Sequence, residues 1–209
     1  MTFHRFLLVI IVGCYFVFLQ SVSADESLPP FTFPKEYSVE LISTGTDGTT
    51  IPAKIYFSNG WVRSAYTEHG TAMVFILRPD LQKVYVVVAD RKMVMQQPYD
   101  TEQFKKIITA TSGPEGKFEA VGSDPVDGVQ CTKYKVTDAD GKISYWWINA
   151  ATKLPVKMTP TEDRLLAAAQ WKNFKVGPQD PALFELPPGY QVLGMYAPLP
   201  ELPKAPAGH

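Results

Sequence analysis

The sequence predicts a mainly β fold, an antiparallel barrel or sandwich packed around one helix. Three observations carry this. Short apolar runs recur about every ten residues, each closed by a turn signal. Prolines number 18, and aromatics make up 12% of the chain. One segment only shows clear helical periodicity between two such series of runs.

Composition narrows the function classes. The chain has 209 residues, with 20 Lys and Arg against 21 Asp and Glu and a formal net charge of −1. A nucleic-acid binder needs a basic surface to neutralise phosphates, and this balance argues against one. A hydrophobic content of 45% suits one globular domain with a core of its own.

Residues 1–24 read as a signal peptide. Arg5 is the basic start, Phe6–Leu19 the apolar run, and Val22-Ser23-Ala24 a cleavage site ending on a small residue. The run falls short of the ~20 residues that a bilayer helix needs. The expectation is export and cleavage after Ala24. Ile11-Val12-Gly13-Cys14 gives a second reading, a lipoprotein anchored through Cys14. The apolar run continues past that cysteine to Leu19, which argues against it. Cleavage after Ala24 leaves Cys131 as the one thiol, so no internal disulfide forms, and burial is expected for it.

The expected organisation is an extended lead-in over 25–35, a β domain over 36–194 and a proline-rich tail over 195–209. In the β domain the predicted strands are 36–43, 51–58, 61–67, 72–78, 83–89, 92–97, 117–122, 129–137, 142–149, 154–159 and 164–176. Asn59-Gly60 is a strong hairpin signal, since both residues accept positive φ. Asp138-Ala139-Asp140-Gly141 closes another hairpin. Residues 163–170 have helical propensity, but they run without a break into Trp171–Val176, so the strand reading is preferred.

The predicted helix follows Asp100, a capping residue with Gln103 three positions on. Phe104, Ile107 and Ile108 form its apolar stripe. Such a helix plugs a curved sheet or packs on one of its faces. Asp180-Pro181 opens a short helical turn, and Phe184 and Tyr190 are expected to anchor the closing segment.

Several strands are apolar on both faces. Met73, Phe75 and Leu77 oppose Val74 and Ile76. Tyr145 and Trp147 oppose Trp146 and Ile148, whereas 92–97 alternates more clearly, with Met93 and Met95 on one face and Lys92, Val94 and Gln96 on the other. A sheet with one wet face alternates with polar residues. The second face is therefore covered by the helix, covered by a loop, or lines an apolar cavity. The candidate ligand-contacting residues are Met73, Phe75, Leu77, Met93, Met95, Tyr145 and Trp147, since methionine adapts to irregular apolar partners. A filled core is the competing reading of the same stripes.

Catalytic motifs are missing. There is no Gly-x-Ser-x-Gly, His-Glu-x-x-His or Cys-x-x-Cys, and Asp138–Gly141 lacks the later ligands of a calcium loop. A Cys131–His69 pair is the one conceivable nucleophile arrangement. The expectation is a non-enzymatic protein without metal or cofactor.

The second half carries a more specific pattern. It runs through Asp127-Gly128, Asp140-Gly141, Tyr145-Trp146-Trp147-Ile148, Leu154-Pro155-Val156-Lys157 and Phe184-Glu185-Leu186-Pro187-Pro188-Gly189-Tyr190. Over 118–193 this resembles exported DUF4412-type domains, relatives of the LolA/LolB-like outer-membrane lipoprotein-sorting superfamily. The resemblance implies a LolA-like half-open antiparallel β-barrel with a helical plug and an apolar concavity. It implies a periplasmic carrier for a lipid, acyl chain or other apolar ligand, in transient contact with a membrane. The alternative is an envelope interaction module with a filled barrel, holding a protein partner.

Overall fold

The computed structural model describes residues 30–163 and 165–194. The signal-peptide reading, Cys14 and the proline-rich tail lie outside the described residues. Among the described residues, no helix is long and apolar enough to cross a membrane.

Twelve strands form one sheet. They are β1 (Glu36–Gly45), β2 (Thr50–Ser58), β3 (Trp61–Glu68), β4 (Thr71–Arg78), β5 (Lys83–Val88), β6 (Met93–Pro98), β7 (Lys117–Val126), β8 (Val129–Thr137), β9 (Ile143–Asn149), β10 (Pro155–Pro160), β11 (Leu166–Val176) and β12 (Gln191–Gly194). Their order across the sheet is β12-β6-β5-β4-β3-β2-β1-β11-β10-β9-β8-β7. Strands β12 and β7 are edges that do not pair with each other, so the sheet is not closed. The predicted strands match this series closely, and 163–170 is extended where it is described. Strand β12 is the one the sequence reading omits.

Hairpin chemistry sets the register. Asn59 and Gly60 both have positive φ, at 47° and 95°, and Asp127 and Gly128 repeat the arrangement at 48° and 80°. Such turns twist in the same sense as the strands they join. Where β4 meets β5, Pro79–Leu81 forms a 3-10 turn and Gln82 takes the left-handed conformation. The β1–β11 pairing closes the two halves of the chain, with Tyr37 opposite Val176 and Leu41 opposite Trp171. A bulge in β11 leaves Asn173 at φ 56° and breaks the alternation. Both Trp171 and Phe174 therefore reach the same core cluster.

Helix α1 (Lys105–Ser112) starts later than the cap at Asp100 suggests. The Asp100 carboxylate accepts the N–H groups of Glu102 and Gln103 at 2.8 and 3.3 Å, capping a preceding turn instead. The helix crosses the concave face of the sheet. Phe104 meets Phe75 of β4 with ring centroids 5.7 Å apart. At the other end, Tyr37 Oη donates to the Thr111 carbonyl at 2.6 Å and Trp171 Nε1 to the Ala110 carbonyl at 3.1 Å. These bonds occupy carbonyls that a helix C-terminus leaves without partners.

Two cores result. The concave core joins Tyr37, Val39, Ile55, Val62, Phe75, Leu77, Val84, Trp146, Ile148 and Trp171 beneath the helix. The outer core consists of Ile76, Tyr85, Val87 and Val94 under Phe184. Its cover is the 181–190 segment, which opens with a 3-10 turn at Pro181–Phe184. Asp180 caps this turn by accepting the Ala182 N–H at 2.9 Å. Arg63 and Arg78 clasp the segment. Arg63 donates to the Leu183 carbonyl at 3.1 Å, and Arg78 reaches Glu185 at 3.0 Å while stacking 4.0 Å over Trp61. The apolarity of β4 and β5 on both sides thus has two covers, a helix on one face and a loop on the other.

Candidate functional site: the concave face

Cross-strand partners project from the same face of a sheet, so the register locates the candidate residues. One row runs Tyr66, Met73, Val88, Met93 across β3 to β6, and the next runs Ser64, Phe75, Val86, Met95. Leu77 follows beside Val84. Parallel pairing of β12 extends both rows, placing Gln191 beside Met93 and Leu193 beside Met95. All five candidates from β4 and β6 therefore share the concave face.

The helix does not treat them alike. Phe75 and Leu77 are buried in the concave core near Phe104. Met73, Met93 and Met95 are half-buried and belong to neither core cluster. Leu193 is 39% exposed. The result is a shelf of thioethers and aliphatic groups beside the part of the face that the helix fills. Tyr66 borders it, and burial, with the nearby Glu68 carboxylate, pushes its phenol above the ordinary range. Tyr66 thus adds a neutral hydroxyl at the border of the shelf, with the Glu68 carboxylate nearby.

Tyr145 and Trp147 lie on the opposite face. Their β9 neighbours Trp146 and Ile148 point into the concave core. Outside, Lys133 sits 5.0 Å from the Tyr145 ring and 4.8 Å from the Trp147 ring, and Lys157 lies 5.1 Å from Trp147. The sequence reading had no means to choose between the two parities, because both are aromatic.

Sequence reasoning missed Phe31 and Phe33. They lie in the extended lead-in, yet their rings fill the β7–β11 half of the concavity. Phe31 is 5% exposed, with its centroid 5.7 Å from Trp146 and 5.8 Å from Phe118. Phe33 packs on Tyr37 and Trp171 at 6.0 and 6.1 Å. The alternation Phe31-Thr32-Phe33 was the available signal. Leu193 was missed as well, and no local pattern announces its parallel pairing.

Two open clefts lie at the end of the sheet where β9 turns into β10. One, of about 610 Å³, runs between Pro30–Pro34, Thr152–Leu154 and Val176. The other, of about 420 Å³, is lined by Val126, Leu154, Pro155, Val156, Trp171 and Phe174, among others. Neither includes any of the seven candidates.

The remaining chemistry is sparse. Among the described residues, no group of three or more His, Cys, Asp or Glu is placed to hold a metal ion. Cys131 is buried, its Sγ 3.3 Å from the Val129 carbonyl, and burial raises its thiol pKa, which suppresses the thiolate. His69 occupies the β3–β4 turn at the other end of the strands. The Cys131–His69 arrangement is therefore not assembled.

The fold has solved counterparts. The chain superposes on an uncharacterized conserved protein from Thermus thermophilus with a TM-score of 0.56 at 12% identity, covering 77% of this chain and 91% of that one. This is a likeness of fold alone. Looser matches include the Mycobacterium tuberculosis lipoprotein LppX, at TM-score 0.45 and 11% identity over 70% of this chain and 89% of that one. They also include a LolA superfamily protein from Nitrosomonas europaea, at TM-score 0.35 and 10% identity over 76% and 91%. No family model and no curated protein matches the sequence, so the DUF4412-type resemblance stands on the residue pattern alone.

Proposed function

We propose that this protein is an exported, non-enzymatic carrier that binds the apolar part of a lipid, acyl chain or similar molecule. The ligand lies on the concave shelf of Met73, Met93 and Met95, extended by Leu193. The observation that carries this is the partial exposure of three methionines beside an otherwise packed core. Flexible thioethers conform to an apolar guest of irregular shape, and neighbouring Phe75 and Val86 supply a firm floor. The periplasm is the proposed location, in keeping with the signal-peptide reading and the DUF4412-type pattern.

Native mass spectrometry of gently purified protein, with extraction of bound lipid, tests the reading. Uptake of cis-parinaric acid is expected, and Met93→Gln with Met95→Gln is expected to weaken it about tenfold, in line with the loss of two buried apolar groups. A ligand-free spectrum together with no probe uptake would refute the carrier.

A second reading draws on the filled half of the concavity. There the helix, Phe31 and Phe33 occupy the space that a carrier leaves for its guest, as an envelope interaction module would have it. That reading predicts capture of an envelope protein by the full chain and loss of capture after deletion of 197–209. An unchanged set of captured proteins removes it.

A further inference from the structure

Residues 30–34 are held without the backbone bonds that fix the strands and the helix. Strands and helix combine ring packing with backbone hydrogen bonds. Among the described residues, no hydrogen bond joins Pro30–Pro34 to the sheet or the helix. The first backbone bond comes after them, where the Lys35 carbonyl accepts the Asn59 N–H at 2.9 Å. Pro30 and Pro34 have no N–H to donate. Phe31 and Phe33 nevertheless sit among Phe118, Trp146, Tyr37 and Trp171. Their residence rests on ring contacts, which any apolar group of similar size can replace.

A route lies alongside. The cleft of about 610 Å³ is bounded on one side by Pro30, Phe31, Thr32 and Pro34 and on the other by Thr152, Lys153 and Leu154. That volume is within the range of small-molecule sites. Lys153 is exposed on this rim and holds a left-handed conformation at φ 60°. A cation at the mouth of an aromatic chamber suits an amphiphile with an anionic head and one apolar chain.

We infer that the chamber now filled by Phe31 and Phe33 is a binding site for the chain of a single-chain fatty carboxylate. Residues 30–34 are its displaceable strap, and Lys153 receives the carboxylate at its mouth. The inference rests on the carrier reading, but it assigns a place distinct from the methionine shelf. The shelf lies over β4–β6, whereas the chamber lies over β7–β11.

The test uses the full chain and cis-parinaric acid fluorescence, with three variants: Phe31→Ser with Phe33→Ser, Lys153→Ala, and Met93→Gln with Met95→Gln. Removing the two rings is expected to tighten binding about tenfold, because the site is no longer self-occupied. Lys153→Ala is expected to weaken it severalfold. Since loss of two core rings can unfold the protein, hydroxyl-radical labelling of the Phe31 and Phe33 rings in the unsubstituted chain gives a second measure. Saturating oleate is expected to reduce their protection. Unchanged protection with oleate bound, or a folded strap variant that binds no tighter, overturns the chamber. If the methionine variant then loses binding, the shelf reading survives alone. Binding by the strap variant only supports the chamber and removes the shelf. No binding by any form defeats both.

Discussion

Single residues show how polar groups are placed inside an apolar sheet. Arg78 is 8% exposed on the outer face of β4. Asp80 accepts from its Nε and Nη2 at 2.9 and 2.8 Å, a paired geometry that positions the guanidinium. Those bonds hold the Asp80 carboxyl below its ordinary value. A lowered folded-state pKa stabilises above the unfolded value and is lost as pH falls through the folded one. Acid titration is therefore expected to loosen the 181–190 cover, and Asp80→Asn to remove that component. Solvent screening at a side chain 40% exposed keeps it below about 1 kcal/mol. Denaturant melts at pH 7 and at pH 3 on both forms measure this. Tyr37 runs the other way. Burial raises its phenol above the usual 10.0, so its contribution is complete below that value and is lost at higher pH, where the unfolded chain ionises. Tyr37→Phe leaves the Thr111 carbonyl without its donor. It is expected to cost about 1–3 kcal/mol at neutral pH and to blunt the alkaline loss of stability. An unchanged urea midpoint would contradict that.

At the scale of elements, turns and covers dominate. The Asn59-Gly60 hairpin needs a left-handed residue at position 60, and a Cβ there would meet nothing within 4 Å. Gly60→Ala thus isolates the backbone term and is expected to cost about 1 kcal/mol. The 181–190 segment behaves as one plate, with Phe184 1% exposed at its centre. Phe184→Ala is expected to destabilise by about 3–5 kcal/mol and to expose Ile76 and Val87 to solvent. Binding of a dye specific for exposed apolar surface would report the exposure. A smaller loss would mean that Leu186 and Tyr190 suffice to hold the plate. Elements are also where the sequence was most legible. Strand positions followed from turn residues such as Asp127-Gly128, and the Phe104–Ile107–Ile108 stripe marked the helix. The helix start shifted because the Asp100 carboxylate accepts N–H groups within a preceding turn, where Tyr99 and Phe104 stack with ring centroids 6.4 Å apart.

At the scale of the whole molecule, the two halves of the open sheet are joined by β1 against β11, whose partners Tyr37 and Val176 lie far apart in the chain. Such pairing incurs a large loop-closure entropy before any contact rewards it. Refolding is expected in the range of about milliseconds to seconds, and stopped-flow tryptophan fluorescence follows it through Trp146 and Trp171. Refolding complete within microseconds would show that the nucleus is local. The same long-range closure shapes the candidate site. Pairing of β12 with β6 brings Leu193 beside Met95, and packing of residues 30–34 under β9 fills half of the concave face.

The sequence alone determined eleven of the twelve strands, the hairpins, the presence of one helix and the existence of two apolar faces, because these depend on periodicity and turn conformations within a few residues. Tertiary structure decided which parity of β9 faces inward. It also decided that a lead-in segment enters the core and which methionines stay half-open. Those outcomes depend on what packs against each face, and Trp146 and Trp147 are too alike in hydrophobicity for local pattern to separate them.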